Sequence, residues 1–294
     1  MTYEYFKLLK NLWDENRNNK PYSPKDFKEV LGKENQLFAG YIANDSIDLI
    51  RFLLERFNEE LNVINSNFNN INDDDNLDKT NYNLILDNFY KTIINNNISP
   101  IYNLFYGIKQ TFNRCVNCGL ISYDFQIYNY LFSLKKTNLF FNKFGKKPLV
   151  TNNNINPDVD LYLCFEFDRS IFRFGCKLYC NFCKNYTDSL TFYLIIVLDY
   201  GKGVSFECKV NFPEQLNLYN YVIQKDKNTV YGLYGVICHR GSSSLVGHFM
   251  AYCRNRMDNK WHFYNDGAVS ECQKDEDNRD VLPYILFYRA LTLN

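Results

Sequence analysis

The chain has no apolar run of the roughly 18 residues that a membrane-spanning helix needs. Its first twenty residues (MTYEYFKLLKNLWDENRNNK) carry too many charges for a secretory signal. Both absences fit a soluble protein inside the cell, in cytoplasm or nucleus, with no membrane partner. A surplus of charge is also missing, since 33 acidic side chains balance 33 basic ones. Nucleic-acid binding draws on a basic excess that displaces counterions, so no nucleic-acid partner is expected. No internal repeat is present. Histidine is scarce: there are three, and all fall between Gly235 and Asp266.

Against these absences stand a 46% hydrophobic and 17% aromatic composition, enough for a substantial core, and ten cysteines. Cysteines inside a cell do not form a disulfide framework by default. Four of them make two C-x-x-C pairs, Cys115/Cys118 and Cys180/Cys183, separated by 61 residues. Two paired thiolates supply the four tetrahedral ligands of a structural Zn2+ site. Gly119, after the first pair, lets backbone amides approach a sulfur. Four buried free thiols are the plainer alternative. Cys176 has no partner at that spacing, and the remaining cysteines read as small apolar side chains.

Along the chain, residues 1–62 read as helical. Phe6, Leu9 and Trp13 recur at helical spacing, and Ser23 before Pro24 suggests a helix start at Pro24. A second helix begins near Asp45, with an apolar stripe of Ile47, Leu49, Ile50, Phe52, Leu53, Leu54, Phe57 and Leu61. Residues 62–97 hold 13 asparagines in 36 positions and read as a partly disordered insertion, although Leu84, Ile85, Leu86, Phe89 and Tyr90 are clustered. Strand patterns follow. Ile121, Tyr123, Phe125 and Ile127 alternate as a half-buried strand, and residues 142–158 read as a loop. Residues 191–200 (TFYLIIVLDY) are apolar enough for burial on both faces. Further strand signals lie at 204–210, 234–238, 248–253, 261–264 and 284–288. Helices first and a largely antiparallel sheet afterwards argue for an α+β fold.

The segment GVICHRGSSSLVGHFMAYCRNRMDNKWHFYND, residues 235–266, is the most informative. Its Gly-His-Phe-x-x-Tyr followed by Trp-x-x-x-Asn-Asp resembles the histidine half of the ubiquitin-specific proteases. Other anchors follow the family's order. Asp45-Ser46 and the helix after it resemble the helix of the Gln-Gln-Asp-(Ala/Ser)-Gln-Glu motif, with Asn44, Ile47 and Asp48 replacing its other polar positions. Leu104–Gly107 resembles Leu-Phe-x-Gly, and 283–288 (PYILFY) the closing strand. Departures are also present. Leu198-Asp199-Tyr200 stands in place of Leu-x-Arg, and the segment after Cys183 is short enough that a finger strand is shortened or lost.

The resemblance implies a papain-like cysteine protease fold with thumb, palm and zinc-ribbon fingers in a single domain, 1–294. Residues 1–62 would form the helical part of the thumb and 63–97 an Asn-rich insertion. Residues 98–210 would supply the fingers and adjoining palm strands, and 211–294 the palm with the histidine box. It implies a deubiquitinase that removes ubiquitin from protein conjugates, acting as a monomer on ubiquitin or ubiquitinated proteins, with one structural Zn2+. The alternative is a catalytically inactive ubiquitin-binding relative. His248 would be the base and Asn265 the residue that orients its ring, with Asp266 supporting the same network. Asp45, Gly247, Phe249 and Tyr252 would contact substrate. The two distant C-x-x-C pairs match fingers in which two hairpins share one zinc. The family's Gly-Asn-Thr-Cys box is absent, so an N-terminally truncated member is expected, with the box upstream of Met1. None of the ten cysteines replaces it. Cys253 lies five residues after His248, and strand alternation turns it to the opposite face from His248, Met250 and Tyr252. Cys238 and Cys272 lack the setting of an activated thiol. His239 and His262 read as ordinary core or surface residues.

Overall fold

The computed structural model describes residues 1–14, 22–63, 80–96, 98–114, 121–133, 159–162, 165, 184–189, 193–198, 210–222, 229–243, 246–272 and 282–291. They form two compact units: residues 1–65 with 97–102, and residues 66–96 with 103–294.

The first unit is helical. Helix α1 spans Thr2–Leu12, α2 Lys25–Glu34 and α3 Ser46–Glu60, with a 3-10 turn at Gln36–Phe38. Pro24 stands at the N-cap of α2, so the helix begins at Lys25, one residue after the start that the sequence suggested. Asp45 caps α3 by accepting the Ile47 backbone N–H at 3.0 Å, satisfying one of the donors left free by the first turn. Aromatic contacts fill the interior: Tyr5 packs on Phe27 and Phe57, and Phe38 on Phe52. Ile47, Leu54 and Phe57 of the expected stripe are buried, whereas Leu61 lies at the exposed helix end. Val63 donates to the Ile98 carbonyl, and Ile98 to Asn62, closing the base of the Asn-rich stretch.

A short helix, α5 (Pro100–Phe105), carries the chain into the second unit. There β1 (Gly107–Arg114) is flanked by β2 (Ile121–Tyr128) and β5 (Lys184–Ser189), both antiparallel to it. Helix α4 (Tyr82–Asn96) lies on β2, with Tyr82 edge-on to Tyr123 and Phe89 against Phe125. The cluster around Leu84–Tyr90 thus forms a helix despite its asparagines. Along β2, Phe125 is buried but Ile127 is exposed, which departs from simple alternation.

The main sheet has eight strands. Along its path stand β12 (Ala268–Cys272), β11 (Trp261–Asn265), β10 (Val246–Arg254), β9 (Val230–Ser243), β13 (Leu282–Ala290), β6 (Tyr193–Leu198) and β3 (Leu131–Ser133), with β8 (Gln215–Asn217) paired to β9. Every pairing is antiparallel except β3 with β6. Two further short strands, β4 (Val159–Asp160) and β7 (Val210–Asn211), pair in parallel, and β7 is what the described residues retain of the strand signal at 204–210. The loop expected at 142–158 lies outside the described residues. Strands β6 and β13 form the centre of the core. Leu194 to Leu198 are at most 1% exposed, and Ile285, Leu286 and Tyr288 are at 0%. Burial on both faces is why these strands read as continuous apolar runs. Pro283 cannot donate to a ladder, and the β13–β9 register shifts beside it. No helix among the described residues is long and apolar enough to cross a membrane.

Truncating Ile196, fully buried in β6, leaves a cavity on one face of the sheet beside its cross-strand partners Leu286 and Leu131. Ile196→Ala should cost about 2–5 kcal/mol, read as a lowered midpoint of urea unfolding with an unchanged slope.

Candidate active site

The site is built on three neighbouring strands, β9, β10 and β11, and its geometry follows from their register. Met250 pairs with Cys238, Tyr252 with Val236 and Phe263 with Tyr252, so these side chains share one face and are buried or half-buried there. His248 lies on the same face at its solvent-facing end. Asn265 follows Tyr264, the partner of Ala251, and therefore also falls on this face. The two meet: His248 Nε2 and Asn265 Oδ1 are 2.7 Å apart. A carbonyl oxygen only accepts, so Nε2 carries the proton and donates. In the neutral ring this leaves the lone pair on Nδ1, the atom free to act as base.

Two local devices set this register. The connection from β10 to β11 is closed by Asn255 donating to the Lys260 carbonyl at 2.8 Å and Asn259 to the Asn255 carbonyl at 2.9 Å. Asn255 and Asp258 side chains accept the backbone N–H groups of Met257 and Lys260, and Asn259 takes a left-handed φ of 62°. Beyond Asn265, Asp266 and Gly267 form a two-residue turn into β12, with Asp266 at φ 49°. Aspartate tolerates that conformation, which gives Asp266 a structural role beside its charge. Its carboxylate is 3.7 Å from His248 Nε2, and its side chain is 82% exposed. Asn265 therefore orients the ring, and Asp266 adds an exposed charge nearby.

On the β9 side the register shifts between Val246 and His248, where three steps of β9 oppose two of β10. Bulges of this kind re-aim a neighbouring side chain. Gly247 sits at the shift. A Cβ there would come within 2.3 Å of the His239 ring and 2.4 Å of the Arg240 carbonyl. Glycine is thus required by the protein's own packing. His239 is 1% exposed and packs edge-on against Phe249, which also leans on Tyr284. Tyr252 is buried against Phe263. Asp45, the α3 cap, belongs to the other unit.

The described cysteines do not complete a dyad. Cys238 is buried two residues down β9 from Arg240, and Cys272 lies opposite Trp261. Cys253 pairs with His262 on the face opposite His248, and desolvation of its thiol raises its pKa, which disfavours the nucleophilic thiolate. Among the described residues no sulfur bonds to His248. Cys115, Cys118, Cys180 and Cys183 lie outside them, and among the described residues no group of three His, Cys, Asp or Glu could hold a metal. Sequence reasoning missed the Asn255–Lys260 loop and β12. The Asn-Asp-Gly-Ala turn chemistry at 265–268 was the signal that could have found β12.

The sequence profile of the family described as Ubiquitin carboxyl-terminal hydrolase matches residues 1–288. Ubiquitin carboxyl-terminal hydrolase 2 of Bos taurus is 25% identical over 305 residues, covering 97% of this chain and 46% of that protein. Ubiquitin carboxyl-terminal hydrolase Usp2 of Drosophila melanogaster is 24% identical over 304 residues, covering 97% of this chain and 30% of the relative. The chain thus spans less than half the length of these relatives. Among solved structures, the SAGA Ubp8/Sgf11/Sus1/Sgf73 DUB module bound to ubiquitin aldehyde aligns with TM-score 0.62 at 18% identity, covering 95% of this chain and 56% of that chain. A SAGA DUB module with the same four proteins bound to monoubiquitin aligns at 0.58 and 19%, covering 91% and 53%. At such identities the likeness is one of fold, and that fold is the expected papain-like α+β architecture.

Replacing Asn265 with alanine removes the acceptor that holds the His248 proton on Nε2. With three histidines in the chain, ring-nitrogen NMR shifts can be assigned. The parent should show the Nε2–H tautomer at His248, and Asn265→Ala a mixture of tautomers in an otherwise unchanged spectrum.

Proposed function

Because the chain belongs to the ubiquitin carboxyl-terminal hydrolase family, we propose that it recognises ubiquitin and carries the histidine half of a deubiquitinase-type cysteine protease, the kind that removes ubiquitin from conjugates. The observation that supports this most is the 2.7 Å bond from His248 to Asn265. In such a site Nδ1 of His248 takes the proton of a thiol, the thiolate attacks the carbonyl of the isopeptide bond, and the imidazolium returns the proton to the departing amine. Asn265 holds the ring in the tautomer this needs. Asp45, Gly247, Phe249 and Tyr252 are the proposed substrate contacts, with Asp266 an adjacent charge. An intracellular monomer with no nucleic-acid partner belongs to the same reading.

A second reading, a catalytically inactive ubiquitin-binding relative, is favoured by one observation: no described sulfur bonds to His248. The two readings share ubiquitin recognition and differ in turnover.

A structural Zn2+ held by Cys115, Cys118, Cys180 and Cys183 is also proposed. The strand register supports it. Arg114 pairs with Ile121 and Phe112 with Lys184, so the chain leaves β1 towards Cys115 and enters β5 from Cys183 at the same end of one sheet. Four thiolates fill the coordination sphere of zinc, which would crosslink that end and supply no chemistry to His248.

Binding should depend on the ubiquitin tail. Titration with full-length ubiquitin and with ubiquitin lacking its last residues should give a clear preference for the former, while a fluorogenic ubiquitin substrate shows no turnover by this chain. Equal affinity for the two forms, or no binding at high micromolar concentration, would overturn ubiquitin recognition. Turnover abolished by changing one cysteine to alanine would overturn the inactive reading.

Protein purified without chelator should contain one zinc per chain, measured by elemental analysis. Chelation should release it and lower thermal stability. Loss of metal on changing Cys115 or Cys183 to serine ties it to these ligands, and zinc-free protein would refute the site.

A further inference from the structure

We propose that Arg240 is a specificity-determining residue: its guanidinium holds the free C-terminal carboxylate of ubiquitin beside His248, so that this chain favours ubiquitin with an unconjugated C-terminus. The inference rests on the ubiquitin reading above and names the form of ubiquitin preferred.

The placement follows from the sheet. His248 and Arg240 are direct Cα partners across β10 and β9. Antiparallel partners present their side chains on the same face, with Cβ atoms about 5 Å apart. The next pair inward on this face, Met250 with Cys238, is buried, so His248 and Arg240 form the rim where that face meets solvent. Arg240 is exposed. Among the described residues its guanidinium makes neither an ion pair nor a hydrogen bond, unlike Arg56, which binds Glu34 and Glu59. Its backbone, by contrast, is fixed, because the carbonyl lies against Gly247.

The charges around His248 are ordered by the strands. Asn265 and Asp266 approach from the β11 side, with the Asp266 carboxylate 3.7 Å from Nε2. Arg240 stands on the β9 side, across the ring strand from that carboxylate. An anion drawn to Arg240 therefore arrives on the flank away from Asp266. Guanidinium is suited to a carboxylate because two parallel N–H donors match its two oxygens. An isopeptide or amide at the same place presents one neutral carbonyl and loses the charge. A cation beside the base holds product-like ubiquitin rather than speeding its release, which suits a chain in which no described thiol serves that base.

The test compares ubiquitin bearing its natural C-terminal carboxylate with semisynthetic ubiquitin ending in a primary amide, titrated into the parent chain, Arg240→Ala and Arg240→Lys at two salt concentrations. The parent should bind the acid about fivefold more tightly than the amide, the scale of an exposed charged pair with good geometry. That preference should shrink at high salt, as screening requires. Arg240→Ala should lose the preference while keeping its affinity for the amide, and Arg240→Lys should keep part of it. Equal affinity of the parent for acid and amide, or a preference that survives in Arg240→Ala, would overturn the inference and leave ubiquitin recognition standing. Failure of both forms to bind the parent would instead overturn ubiquitin recognition itself, and the inference with it.

Discussion

The site depends on one constraint, the register of three antiparallel strands. His248 and Asn265 are 17 residues apart in the chain and meet only because β10 and β11 pair as Ala251 with Tyr264 and Arg254 with Trp261. A slip of one residue would turn Asn265 to the opposite face, since side chains alternate with a period of two. The His–Asn bond itself contributes only about 1 kcal/mol, so it cannot enforce that pairing. The ladder of β9, β10 and β11 enforces it, together with the buried Trp261 and the Asn255–Lys260 loop. The chemistry of the ring is therefore inherited from backbone pairing.

That ladder is in turn held from behind. β9 pairs with β10 along one edge and β13 along the other, and β13 pairs with β6. The last two strands present long apolar stretches, Leu194–Leu198 and Leu282–Leu286, that are almost fully shielded. Shielding them removes enough apolar surface to anchor the sheet, while β11 and β12 extend outward to the exposed edge. The gradient from a dry centre to a wet edge places His248 and Asn265 where a rigid backbone still reaches solvent. The proposed role of His248 as a base needs both properties, since the ring must be aimed and a substrate must reach it.

How legible each part was follows the same gradient. Helix α3 could be read from Asp45 and the apolar period, and β6 from an unbroken apolar run, because burial had already selected those residues. β12 could not: its residues are exposed except Cys272, so no hydrophobic alternation marks it. β1 and β5 (GIKQTFNR and KNYTDS) are too polar to read as strands and exist through pairing, β5 with β1 and β1 with the α4-covered β2. Asparagine content obscured α4 itself, whose helix is held by Tyr82 and Phe89 on β2. At the site, His248 and Asn265 were legible through a family motif, not through periodicity. Gly247 was read only as a substrate contact, and the structure adds a packing reason for it, because a Cβ there would meet His239 and Arg240. Arg240 itself carried no signal, because its meaning comes from pairing with a residue eight positions later across a bulge.

The division between Asn265 and Asp266 carries a further consequence. The neutral amide makes the short bond to His248, and the carboxylate stays at 3.7 Å with most of its surface in water. An exposed charge at that distance interacts weakly and is screened by salt. Nε2 is therefore committed by geometry more than by charge: the amide fixes the ring's tautomer and direction without bringing a buried anion against it. A buried carboxylate in the same place would add its field to the whole rim, Arg240 included, and would compete for the guanidinium. With Asn265 as the close partner and Asp266 held outward by its left-handed turn, the positive flank of His248 stays available to an incoming anion.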